Sequence, residues 1–78
     1  MSRNNDPGLE NWCGSALRLR RVAAGMTLKE VAEELQSSIS TIARWEMEEH
    51  PPPAQTVERM AEIFFATPSD FSRPPRVV

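Results

Sequence analysis

Little in this sequence serves redox or metal chemistry. Cysteine occurs once, at Cys13, and histidine once, at His50. A single thiol excludes an internal disulfide and fits a reducing compartment. One Cys and one His cannot build a common zinc cluster, so neither a metal nor a cofactor is expected. No nucleophile–base constellation is evident, and catalysis is not expected. No apolar run approaches the roughly 20 residues of a membrane span. The first residues also lack the apolar core of a signal peptide, so the expectation is a cytoplasmic protein without a membrane partner. Basic charge is not in excess. Nine Lys and Arg oppose eleven Asp and Glu, a net charge of −2. That balance argues against a charge-driven coat on nucleic acid or anionic lipid, and leaves room for a local basic face. Strand-like alternation and internal repeats are missing as well.

What remains is one small all-helical domain, because 78 residues divided in two would leave each half too short to bury a core. Residues 1–11 are polar, carry Pro7-Gly8 and read as a flexible arm. Residues 72–78, with Pro74-Pro75, read as a short extended tail. The segment 12–71 between them is the expected folded domain. Four stretches have helical character. The first, Trp12–Ala24, stops at Gly25, which adopts the left-handed conformation readily. Its apolar side reads as Trp12, Ala16, Leu19 and Ala23. In the second, Thr27 and Glu30 form a capping box, and Leu28, Val31, Ala32 and Leu35 make one stripe. Gln36-Ser37-Ser38 interrupts after two turns, and Ser38 caps a third helix over Ile39–Met47. There Ile42 and Trp45 share one arc, while Ser40, Arg44 and Met47 share the opposite arc with Ala43 at its edge. Pro51–Pro53 precedes a fourth helix, Ala54–Ala66, with the stripe Val57, Met60, Ala61 and Phe64. Thr67-Pro68-Ser69-Asp70 caps a last turn that carries Phe71 inward. Phe64 and Phe65 are adjacent, so one belongs to the core and the other is a candidate dimer contact.

Two short helices joined by a tight turn inside a helical domain describe a helix-turn-helix. The outer face of the second helix of such a pair fits the DNA major groove. The run over about residues 15–71 resembles the Cro/lambda-repressor-like helix-turn-helix (XRE) family. The resemblance is carried by Arg21, Gly25, Thr27, Val31-Ala32, Leu35, Ser38, Ile42, Trp45-Glu46, Pro52, Thr56, Ala61, Thr67 and Phe71, without a gap. It implies a compact bundle of four or five helices that binds double-stranded DNA as a homodimer, mostly to repress transcription. It places Ile39, Ser40, Thr41 and Arg44 at base-reading positions. Thr27, Leu28 and Met47 fall where the family often touches phosphate, and Arg21 with Glu46 matches a structural ion pair.

Several positions depart from the family pattern. Leu28 stands where glutamine is common, and Ile39 where a polar reader is frequent. Met47-Glu48 replaces an Asn-Gly-like ending and is followed by a second acid, Glu49. Gln36 and Phe65 replace glycines, and Arg20 replaces an apolar residue. From Thr27 to Met47 there are two bases, Lys29 and Arg44, against four acids, Glu30, Glu33, Glu34 and Glu46. Phosphate-neutralising charge must then come from Arg18, Arg20, Arg3, Arg73 and Arg76. Arg44 suits a guanine, Ser40 several bases, and Ile39 or Ala43 a thymine methyl. Against these stand plainer readings: a solvated Arg44, an Ile39 that closes the turn, and a Leu28 that extends its stripe. An exposed patch of Leu28, Ile39 and Met47 would instead make the scaffold a docking module for a regulatory protein.

Overall fold

The computed structural model describes residues 12–48 and 50–72. The expected arm, residues 73–78 of the expected tail, and with them Arg3, Glu49, Arg73 and Arg76, lie outside the described residues. The elements are α1 (Gly14–Ala23), α2 (Leu28–Leu35), α3 (Ile39–Glu46), α4 (Ala54–Ile63) and a 3-10 turn over Pro68–Phe71. Among the described residues the fold is all-helical, with one isolated antiparallel bridge between Trp12 and Ser72.

Each helix begins and ends for a local reason. The capping box at α2 is complete: Glu30 N–H donates to Thr27 Oγ1 at 3.1 Å, and Thr27 N–H donates to Glu30 Oε1 at 2.8 Å. Ser38 Oγ accepts from Thr41 N–H at 3.2 Å and starts α3. The C-termini of α1, α2 and α4 share one motif, in which a left-handed residue turns the chain and the following N–H reaches back five residues. The left-handed residues are Gly25, Gln36 and Phe65. The returning bonds run from Met26 N to Arg21 O, Ser37 N to Ala32 O, and Ala66 N to Ala61 O. Two of the three positions therefore carry a side chain where glycine is at ease.

The core gathers Trp12, Leu17, Val31, Ala32, Ile42, Trp45, Val57, Met60, Ala61, Phe64 and Phe71. The stripes expected for α2, α3 and α4 all face it, with Leu28 and Leu35 partly buried at its margin. The stripe expected for α1 is corrected. Leu17 is fully buried, whereas Leu19 is 69% exposed and Ala23 is exposed. The reason is the register: Trp12 lies before the helix and bridges to Ser72, so it does not mark a helical face. Trp12 reaches the core from that extended position, stacking on Phe71 with ring centroids 6.2 Å apart.

Candidate nucleic-acid interface

α3 presents two opposite faces because its sequence does. Ile42 and Trp45 are buried, and Ile39, Ser40, Arg44 and Met47 are exposed. Ile39, read as a partial core contact that closes the turn or as a base reader, is 48% exposed. Thr41 and Ala43 sit half-buried at the two margins. Leu28 at the start of α2 is half-buried against the core, which is the stripe-extending role. Met47, just past α3, is 68% exposed.

The N-terminal end of α3 is a small hydroxyl cluster. Ser38 Oγ lies 2.8 Å from Thr41 Oγ1 and 3.2 Å from Ser40 Oγ. Ser38 thus touches both hydroxyls, which restricts the rotamers of Ser40 and Thr41. At α2, the Thr27 hydroxyl accepts from Glu30 N–H, which leaves its own O–H to donate outward.

The C-terminal end of α3 is clamped from three directions. The Trp45 carbonyl accepts from the Trp12 indole N–H at 2.8 Å and from Glu48 N–H at 3.1 Å. Arg21 grips Glu46 with two bonds, Nε to Oε2 at 2.6 Å and Nη2 to Oε1 at 3.2 Å, and donates a third from Nη1 to the Met26 carbonyl. Both charged groups are largely buried. Hydrogen bonding to Glu46 outweighs the opposing effect of burial and raises the Arg21 pKa above its ordinary value. Gly14 closes the clamp. A Cβ there would collide with the carbonyl oxygens of both Trp45 and Glu46. Its N–H donates to Glu48 Oε2 at 3.0 Å, so Glu48 serves the start of α1. Neither Gly14 nor the inward use of Glu48 was visible in the sequence, where Gly14 looks like any residue near a helix start.

Exposed Arg18 and half-buried Arg20 of α1 point to different sides. At about 100° per residue, Gly14, Arg18 and Arg21 fall within about 60° of one another, while Arg20 stands about 160° from Arg18. Gly14 and Arg21 both meet α3. Arg18 is exposed beside them. Arg20 instead faces the 3-10 turn, with Nη2 3.5 Å from Asp70 Oδ2. Among the described residues, no group of three His, Cys, Asp or Glu is placed to hold a metal ion. Nor is any helix among them long and apolar enough to cross a membrane.

A family model described as "Helix-turn-helix" matches residues 17–71. Among curated protein sequences, none matches the chain significantly. The fold is similar to the P22 c2 repressor solved in complex with a synthetic operator, with a TM-score of 0.73 at 18% identity over 77% of this chain and 91% of that one. It is also similar to the clp gene regulator ClgR from C. glutamicum, with a TM-score of 0.67 at 26% identity over 74% and 75% of the two chains. A third likeness is to hydroxypropylphosphonic acid epoxidase from S. wedmorenis, with a TM-score of 0.69 at 19% identity over 88% of this chain but 37% of that one. That third likeness is one of fold alone, to a part of the enzyme. With the match covering most of its length, the chain belongs to the Cro/lambda-repressor-like (XRE) helix-turn-helix family of DNA-binding transcription regulators.

Proposed function

We propose that the protein is a cytoplasmic, non-enzymatic repressor that binds a pseudo-palindromic operator as a homodimer and reads each half-site with α3. The observation that carries this reading is the two-faced α3: Ile42 and Trp45 anchor it from behind, and Ile39, Ser40, Arg44 and Met47 stand exposed in front. The base readers are Ile39, Ser40, Thr41 and Arg44. Arg44 is suited to the O6 and N7 acceptors of guanine, the hydroxyls to several base edges, and Ile39 to a thymine methyl. Thr27, Arg18 and Met47 flank this face and contact the sugar–phosphate backbone, with Leu28 supplying apolar contact only. Arg20 is turned to Asp70 on the far side of α1 and takes no part in this contact. The P22 c2 likeness supports the reading, because that repressor was solved on an operator.

With only Lys29 and Arg44 basic between Thr27 and Met47, few phosphates are neutralised and affinity falls gently with salt. The test is selection of duplexes from a random pool, followed by anisotropy titration of wild type and Arg44→Ala. The expected result is specific binding, with Arg44→Ala losing about 1–3 kcal/mol at one base position. Uniform tolerance of Arg44→Ala would reject that reader. Absence of any binding at about 50 mM salt, with the fold intact, would favour the docking-module reading, which the exposure of Ile39 and Met47 supports.

A further inference from the structure

The least economical residue on the surface is Phe65. Its ring is 96% exposed, and its backbone sits at φ +55°, a conformation that disfavours every side chain with a Cβ. A glycine would remove both the strain and the exposed ring. Beside it lies a hollow of about 260 Å³ lined by Arg20, Ala23, Ala24, Ile63, Phe64 and Phe65. Arg20 lines the hollow and pairs with Asp70 next to it, each roughly 40% exposed. Leu19, one turn before Ala23 on α1, extends the apolar surface. Knob, hollow and both signs of charge therefore occur on one small patch.

That combination is what a two-fold interface requires, because each copy must be complementary to itself. We infer that the occupant of this patch is a second copy of the chain. Phe65 of each protomer seats in the hollow formed by Ala23, Ala24 and Ile63 of its partner. The two Arg20–Asp70 pairs meet across the axis with opposite charges facing. A partner of one charge sign would leave either Arg20 or Asp70 opposed by a like charge. The inference rests on the homodimer reading above and gives it a place, on the α1–α4 side and apart from the exposed front of α3.

The experiment is sedimentation equilibrium of the full chain, with thermal unfolding of the same samples. Wild type is expected to dimerise, and Phe65→Gly to weaken association by about thirtyfold or more while the monomer unfolds at the same or a higher temperature. Ala23→Glu, at an exposed helical position, is the second variant, expected to weaken association in a salt-dependent way. A dimer unchanged in both variants would overturn the inference and place the interface elsewhere. A monomeric wild type at concentrations up to about 1 mM would overturn it too, and a loss of stability in Phe65→Gly would then show that the chain's own residues cover the patch. DNA titration of the same variants separates the two readings. Phe65→Gly leaves α3 intact, so it should bind an isolated half-site like wild type and lose cooperativity on the full operator. A wild type that dimerises through Phe65 yet ignores DNA would sink the operator reading and keep the interface.

Discussion

At the scale of single residues, the most constrained position in the molecule is Gly14. Its importance lies in what it lacks: the first turn of α1 is laid directly on the last carbonyls of α3, and the contact leaves no volume for a methyl group. Those neighbours are backbone atoms tied into the helix end and cannot swing aside. Gly14→Ala is therefore expected to destabilise the fold by about 2–3 kcal/mol, the upper range for overpacking, although alanine is otherwise the better helix former. Urea denaturation checks this, and a neutral or stabilised Gly14→Ala would contradict the close approach. Propensity alone predicts the opposite sign at this site, which is why the sequence did not reveal it. The adjacent acid teaches the same lesson. Read along the chain, Glu48 is a negative charge near α3; folded, its carboxylate accepts the Gly14 N–H.

At the scale of elements, the helix ends decide the outcome. Gln36 and Phe65 hold left-handed turns that glycine would hold with less strain. Gln36→Gly should raise stability by about 0.5–1 kcal/mol, net of glycine's greater freedom in the unfolded chain. For a domain of this size that is a rise of several degrees in Tm, measurable by thermal unfolding monitored by circular dichroism. The turn before Phe71 offers a pH signature. Asp70 is held below its ordinary pKa of 3.8, first by the Thr67 backbone N–H, 2.9 Å away, then by the Thr67 hydroxyl, with Arg20 contributing least. A depressed carboxyl contributes stability that is complete above the unfolded pKa and is lost as pH falls through the folded one. Wild type should therefore exceed Asp70→Asn in urea midpoint near neutrality, and the two should converge below about pH 3.8; parallel midpoints across that window would contradict it.

Element boundaries and faces were legible where the signals were local and mutually consistent. Thr27 with Glu30 and the stripe from Leu28 to Leu35 specify α2 unaided. Ile42 and Trp45 do the same for the inward face of α3. The register of α1 was not legible, because Trp12 is apolar for a tertiary reason: it reaches the core from an extended segment beside Ser72. Taking it as helical turned the stripe toward Leu19 and away from Leu17. The turns at Gln36 and Phe65 carry no intrinsic signal, and only comparison with a family pattern marks them as glycine positions. The division of labour between Arg18 and Arg20 was equally hidden. Both suit phosphate by charge, and only the fold shows Arg20 turned to Asp70.

At the scale of the whole molecule, the Arg21–Glu46 pair joins the first helix to the third. Its groups are largely buried, so truncating one partner strands the other away from water. Glu46→Ala should cost about 3 kcal/mol. Replacing both by apolar residues of similar volume, Arg21→Met with Glu46→Leu, should cost much less, because no unpaired charge remains. A double-mutant cycle read by urea unfolding distinguishes this from simple loss of contact area. The functional consequence is geometric. The pair, the Trp12 indole and Gly14 all act on the final turn of α3, so weakening any of them loosens the end of the helix that carries Arg44.

The bridge between Trp12 and Ser72 has an architectural consequence. The described chain enters and leaves the bundle through a single doorway, with its two ends bridged antiparallel at Trp12 and Ser72. A domain built this way is suited to life as a guest: spliced into a surface loop of a host protein, it would need little slack in either linker.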